Sequence, residues 1–169
     1  SLNTRAIQHR EEPRAATIQQ RIDAARRVSR WGYFLAFHFD PLIYYPGWEE
    51  EYEELVRQLF MAVSADAIAW ISLGSLRYMP ALKAIIRERF PASRIAEEEF
   101  ITALDGKKRY YKTMRAEMFA RLRQWILAHA PEVFIYLCME SPWMWQQVFG
   151  SVPEAGELAR RLDERAVNF

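Results

Sequence analysis

A parallel α/β fold is predicted by three features of the chain. Apolar, strand-like runs alternate with segments whose apolar residues recur at helical spacing, in the order βαβαβαβαβα with one further helix. The run Ala67–Leu73 is continuously apolar, the pattern of a strand covered on both faces of a parallel sheet. A third run, Tyr33–Asp40, ends in His38 and Asp40, alternate residues that share one side of an extended chain, and a loop follows at once. Ligands of parallel sheets collect beyond the carboxyl ends of the strands, so this is the expected functional end. Five strands in 169 residues fall short of a complete eightfold barrel, which takes roughly 250. The chain is therefore expected to be a doubly wound sheet or a piece of a barrel. It opens on Ser1, and SLNT reads as the tail of a strand, which favours the piece.

Each element has a local reason. A polar loop containing Pro13 follows Ser1–Thr4. Thr17 with Gln20 three residues on forms a capping box, and Ile18, Ile22, Ala25 and Val28 give a helical stripe ended by Gly32. Pro41 is expected to stop the strand that carries His38 and Asp40. A helix from about Trp48 places Trp48, Tyr52, Leu55, Val56, Leu59 and Phe60 on one face. After Ala67–Leu73 and Gly74-Ser75, Pro80 suits a first helical turn, with Leu82, Ile85 and Ile86 expected inward and Pro91 as the limit. Residues 94–102 read as a strand carrying Glu97, Glu98 and Glu99. The glycine-containing loop LDGKKRYYK leads to a helix from about Met114 to His129, and Pro131 precedes a strand at Val133–Met139. Ser141-Pro142 is an N-cap followed by a first-turn proline, and Gly150 closes that helix. A last amphipathic helix is expected over Glu154–Arg165. The organisation is read as residues 1–150 in the α/β unit and 151–169 as a helical extension.

Composition narrows the function. Half the residues are hydrophobic and 14% aromatic, so the chain has the material for a core. A net charge of +1 gives no global field for nucleic acid or acidic partners. No apolar run reaches membrane-spanning length and no secretory signal opens the chain, so a soluble cytoplasmic protein without membrane contact is expected. The single cysteine, Cys138, excludes an internal disulfide and an all-cysteine metal site within these residues.

Four groups carry possible chemistry. His38 and Asp40 stand at a strand's carboxyl end, as ligand contacts or as a lumen-filling histidine and a loop-capping aspartate. No third ligand joins them, since His9 reads as a loop residue and His129 as a helix C-terminus, so no metal site is assigned. Glu97 and Glu99 share a strand face, best read as a structural ion pair. Cys138 and Glu140 alternate at the end of the last strand; a nucleophilic cysteine would need a basic partner, and packing is the plainer reading. Lys107, Lys108, Arg109, Tyr110, Tyr111 and Lys112 make a basic, aromatic loop. Its cations suit phosphates and its tyrosines suit stacking on exposed bases; the alternative is a solvated turn. Gly74-Ser75 belongs to neither a dinucleotide fingerprint nor a P-loop. No catalytic residue is named.

Several blocks together resemble the C-terminal half of spore photoproduct lyase and its relatives. They are Ser1-Leu2-Asn3, the run RIDAARRVSRWGYFLAFHFDPLIYYPGWEEEYEELV, the strand ISLGSLRY, the segment IRERFPASRI and the long helix after the basic loop. The likeness covers most of positions 1 to 138. It implies the C-terminal portion of a partial (β/α) radical-SAM barrel, similar to a TIM barrel, completed by the N-terminal half of the same barrel. It implies S-adenosylmethionine and a [4Fe-4S] cluster, the cluster held by cysteines of a CxxxCxxC loop outside these residues. The implied activity is repair of DNA by reversal of a thymine dimer through a 5′-deoxyadenosyl radical. These residues alone are then expected to be inactive. By resemblance Ser1 matches a serine that contacts the methionyl carboxylate. Asp40 matches a residue whose backbone lies near the adenine, and with His38 it would line the cofactor side of the cavity. Lys107, Lys108, Arg109 and Tyr110 would meet damaged DNA, with Arg109-Tyr110 in the place of the family's Arg-Tyr wedge. The competing readings are a radical-SAM enzyme with another substrate and a non-catalytic DNA-binding module.

Overall fold

The computed structural model describes residues 1–167. Thr4 caps the first helix, α1 (Arg5–Glu11), its hydroxyl accepting from the Ile7 amide. A loop is expected here. The helix buries only Ile7 and Gln8, so it has no stripe for periodicity to find. Helix α2 (Ile18–Arg30) starts with both arms of its capping box in place: the Gln20 amide donates to Thr17 Oγ1 at 3.2 Å, and the Thr17 amide to Gln20 Oε1 at 2.8 Å.

Strand β1 (Leu35–Leu42) runs past Pro41 instead of stopping there, because Leu42 resumes the ladder opposite Ser75 after an irregularity. Helix α3 (Trp48–Ala62) buries Trp48, Tyr52, Leu55, Val56 and Leu59, the expected face. Strand β2 (Ile68–Ser75) leads into the short β3 (Arg77–Tyr78) and then α4 (Leu82–Arg89). This helix buries none of its residues, and Leu82 and Ile85, expected inward, are exposed. The expected strand over residues 94–102 is reduced to β4 (Ile101–Thr102). Glu97, Glu98 and Glu99 lie exposed in a bend, where Arg94 reaches Glu97 at 2.9 Å. Strand β4 pairs antiparallel with β5 (Lys108–Arg109), which pairs antiparallel with β3. Helix α5 (Lys112–His129) precedes β6 (Ile135–Leu137), α6 (Pro142–Phe149) and α7 (Glu157–Val167). Ser141 and Gly150 cap α6 as expected. The last two positions of the expected extension, 168 and 169, lie outside the described residues.

Among the described residues, three strands rather than five are parallel, in the order β1-β2-β6. Register sets Phe37 against Ile71 and Phe39 against Leu73; Ile71 and Leu73 in turn face Ile135 and Leu137. These six residues join side chains of α2, α3, α5 and α6 in one buried core. The alternate set, Ala36, His38, Asp40, Trp70, Ser72, Gly74, Phe134, Tyr136 and Cys138, stays out of that core. The sheet therefore has one dry face and a second face that is apolar at Ala36, Trp70 and Phe134 and turns polar toward the carboxyl ends of its strands.

The first residues are tied across the top of this layer. The Leu2 amide donates to the His38 carbonyl at 2.9 Å, beside β1. Tyr52, fully buried, donates its hydroxyl proton to Asn3 Oδ1 at 2.6 Å and accepts from the Ile43 amide at 3.0 Å. Tyr45 donates to Thr4 Oγ1 at 2.6 Å. Tyr52→Phe deletes the hydroxyl and leaves the buried Ile43 amide unpaired, while Asn3 Oδ1 keeps the Thr4 amide, so it should lower stability by about 1–2 kcal/mol. Urea unfolding checks this; an unchanged midpoint would show that the clamp carries no stability.

Candidate functional site

The polar face is built across three strands. His38 on β1 stands opposite Ser72 on β2, and Ser72 opposite Tyr136 on β6. His38 Nδ1 lies 2.5 Å from Ser72 Oγ, and the Tyr136 hydroxyl also hydrogen-bonds the Ser72 side chain. The contact engages one ring nitrogen and so fixes the orientation of the imidazole. Burial lowers the His38 pKa below 6.5 although Asp40 opposes the shift, so the ring is neutral at pH 7.

Asp40 sits one step nearer the strands' carboxyl ends. Arg77 grips it bidentately, Nη1 to Oδ1 at 3.1 Å and Nη2 to Oδ2 at 3.0 Å, while Nη1 also donates to the Ser75 carbonyl at 3.2 Å. Gly74 makes room for this pair: a Cβ there would stand 2.5 Å from Asp40 Cγ and Oδ2. Arg77 Nη2 lies 3.5 Å from Cys138 Sγ. Burial and the neighbouring Asp40 carboxylate push the Cys138 thiol up, so it is a thiol and not a thiolate at neutral pH.

Two more arginines hold the residues that follow Cys138. Arg109 Nη1 donates to the Met139 carbonyl at 3.1 Å, and Met139 takes a left-handed conformation at φ 56°. Arg115 Nη2 donates to Glu140 Oε2 at 3.2 Å, and Nη1 to the Tyr110 carbonyl at 2.8 Å. The Glu140 side chain is 2% exposed; burial raises its pKa, against the pull of Arg115 and Arg109. Arg77, Arg109 and Arg115 thus fix three consecutive residues at the carboxyl end of β6.

His38 and Asp40 share the polar face, and Ser1 lies beside β1, its carbonyl accepting from Arg21 Nη1 at 3.2 Å. The basic loop is a hairpin. Arg109 turns inward to Met139 and to Asp105, and Tyr110 is fully buried, stacked on Phe100 at 4.8 Å with its hydroxyl accepting from the Tyr44 amide at 3.2 Å. Neither is placed to stack on a base. Lys107 and Lys108 are only partly buried, and Leu104 at the hairpin's tip is fully exposed. Sequence reading missed Arg77, Ser72, Tyr136 and Arg115. The period-two pattern of ISLGSLR held a signal for Ser72 and Gly74; the arginine partners are long-range and left none.

Three adjacent parallel strands with helices packed on one face fit part of a (β/α) barrel, with His38, Ser72 and Tyr136 on the face turned away from those helices. The family model described as spore photoproduct lyase matches residues 1–136, and the chain belongs to that family. Spore photoproduct lyase of Bacillus subtilis (strain 168) is 30% identical over 114 residues, 66% of this chain and 31% of that protein. The protein of the same description from Geobacillus sp. (strain Y412MC61) is 29% identical over 114 residues, again 66% and 31%. The chain thus spans about a third of the length of these relatives. A solved spore photoproduct lyase variant with bound AdoMet and dinucleoside spore photoproduct superposes with a TM-score of 0.70 at 25% identity, covering 81% of this chain and 43% of that one. A second solved variant gives 0.71 at 24% identity over the same shares.

Two outcomes follow from the site. Gly74→Ala should destabilise by about 1–3 kcal/mol through the collision with Asp40. Adding Asp40→Ala should recover part of that loss in a double-mutant cycle, whereas strictly additive losses would remove the collision as the cause. The His38 pKa is lower folded than unfolded, so the unfolded chain binds more protons and stability falls as pH drops below about 6.5. Thermal midpoints should therefore fall less between pH 7.5 and pH 5.5, a range about one unit either side of that value, in His38→Gln than in the parent.

Proposed function

We propose that this chain is the C-terminal portion of a DNA-repair enzyme that reverses a thymine dimer, residues 1–150 supplying barrel strands and substrate-side loops and residues from 151 a helical extension. The observation that carries the reading is the polar face of a sheet whose other face is fully packed, within a chain of the spore photoproduct lyase family. The solved relative with AdoMet and dinucleoside spore photoproduct supports the same cofactor and lesion here.

The residues present fit part of that chemistry. The neutral His38 ring and the Ser72 and Tyr136 hydroxyls give S-adenosylmethionine polar partners, with Ser1 beside them. The Asp40 carboxylate is spent on Arg77, so its share in cofactor binding falls to its backbone. A [4Fe-4S] cluster does not fit on these residues: Cys138 is the only cysteine, and no group of three His, Cys, Asp or Glu able to hold a metal occurs among the described residues. Cluster ligands therefore belong to the N-terminal half of the barrel. When bound, S-adenosylmethionine would supply a 5′-deoxyadenosyl radical.

Lys107 and Lys108 on the hairpin, with Leu104 at its tip, are the DNA contacts of this reading. No helix among the described residues is long and apolar enough to cross a membrane, and a cytoplasmic setting suits a repair enzyme. The inward turn of Arg109 and Tyr110 favours, as the second reading, a radical-SAM enzyme acting on another substrate.

The deciding experiment uses the full-length protein, reconstituted anaerobically with iron and sulfide, and measures 5′-deoxyadenosine after dithionite addition. Cleavage coupled to thymine recovery only on lesion-bearing DNA is expected. Cleavage indifferent to the lesion would transfer the assignment to the second reading, and no cleavage from a loaded cluster would leave a binding module. Replacing Lys107 and Lys108 with alanine should weaken DNA binding and reduce the log-log salt slope by about one unit per lysine. An unchanged slope would remove the hairpin from the interface.

A further inference from the structure

A cavity opens at the amino end of β6, away from His38, Ser72 and Asp40, and its lining runs from Arg123 to Arg161. It is a cleft of about 920 Å³ between α5, the start of β6, α6 and the first turn of α7, within the size range of small-ligand sites. Trp145, Phe149 and Phe134 supply aromatic wall, each only partly buried. Trp145 and Phe149 lie 5.1 Å apart at an interplanar angle of 33°.

Three guanidiniums reach the cleft, and they differ. Arg160 is paired with Glu164 at 2.5 Å and Arg161 with Glu157 at 2.6 Å. Arg123 has neither an ion pair nor a hydrogen bond among the described residues; its guanidinium lies 5.1 Å over the Phe149 ring, and its Nε is shielded from solvent with no partner. A desolvated donor left unpaired costs free energy that an anionic ligand would recover. The planar guanidinium, preset against an aromatic face, suits bidentate contact with phosphate. Glu154 also lines the cleft, so once Arg160 and Arg161 are neutralised by Glu164 and Glu157 the charges balance, and Arg123 is the one lining guanidinium without a carboxylate partner among the described residues. A single unpaired guanidinium suits one phosphate group and disfavours a polyphosphate chain.

We infer that this cleft binds a nucleoside monophosphate, with the phosphate on Arg123 and the base against Trp145 and Phe149. The inference stands apart from the proposed repair activity, since the cleft shares only Phe134 with the second face of the sheet and uses none of His38, Asp40, Ser72 or Tyr136. The same chemistry is presented by a free mononucleotide and by the 5′-phosphorylated end of a single strand.

Calorimetric titration of the full-length protein tests it, with dAMP, deoxyadenosine, inorganic phosphate and 5′-phosphorylated tetradeoxyadenylate as probes. Saturable dAMP binding, tighter than that of deoxyadenosine or phosphate, is expected, and Arg123→Gln should weaken it by about tenfold or more. Phe149→Leu should weaken it several-fold with the fold intact. If Arg123→Gln does not fold, saturation transfer from the Trp145 ring to the adenine protons in the parent protein decides the location. Equal or tighter binding of the oligonucleotide would make a strand end the ligand; binding of dAMP alone would make it a free nucleotide. Absence of saturable binding at millimolar dAMP would overturn the inference. So would affinity indifferent to Arg123, or affinity lost in the Lys107/Lys108 variant instead.

Discussion

Register between β1 and β2 is the constraint on which everything else rests. Side chains of a strand alternate with a period of two, so a slip by one residue would exchange the two faces entirely. His38, Asp40 and their neighbours would then be forced against α3 and α5, and Phe37 and Phe39 would face the lumen. The slip is opposed from both sides. Phe39, Ile71 and Leu73 are wholly excluded from water, and burial of side chains this large is worth roughly 1.5–3 kcal/mol each. Ser72 must at the same time meet both His38 and Tyr136. Packing and polar pairing therefore select the same alignment.

Electrostatics completes what register begins. Arg77 comes from β3, Arg109 from β5 and Arg115 from α5, yet all three converge on Cys138, Met139 and Glu140. The antiparallel ribbon is thereby fastened to the carboxyl end of the parallel sheet. Buried ion pairs of this kind add little net stability, because desolvation offsets much of the attraction. Breaking one leaves an unpaired charge in a dry setting, so their effect is on geometry: few alternative arrangements of the loops keep every charge paired. Met139 holds its left-handed backbone under the same constraint.

What the sequence disclosed divides along the range of the interactions. Helices α2, α3 and α6 carry their signals within a few residues, in Thr17 with Gln20, in the Trp48 to Leu59 stripe, and in Ser141-Pro142 with Gly150. Local patterning also placed His38 and Asp40 at a strand's end. It failed at α4, where Leu82 and Ile85 repeat at helical spacing but no described element covers them. At 94–102 the triple glutamate mimics a period-two strand, although the chain turns there instead, the Glu97 amide donating to the Arg94 carbonyl at 3.1 Å. Arg109 and Tyr110 were expected outside because basic and aromatic residues in a glycine loop suit a surface. Their partners Met139 and Tyr44 lie far away in sequence, and no local pattern reports them.

Residue 38 does two unrelated jobs in perpendicular directions. Its carbonyl accepts from Leu2 within the plane of the sheet, while its ring stands out of that plane against Ser72. Backbone pairing at this point is therefore indifferent to the kind of side chain attached. Descendants of such a protein can exchange the imidazole for another functional group without disturbing the seam beside β1. At Gly74 the reverse holds, since there any side chain at all displaces Asp40. Chemical variety along this face is thus open at one position and closed at the next, two residues from the end of the same strand pair.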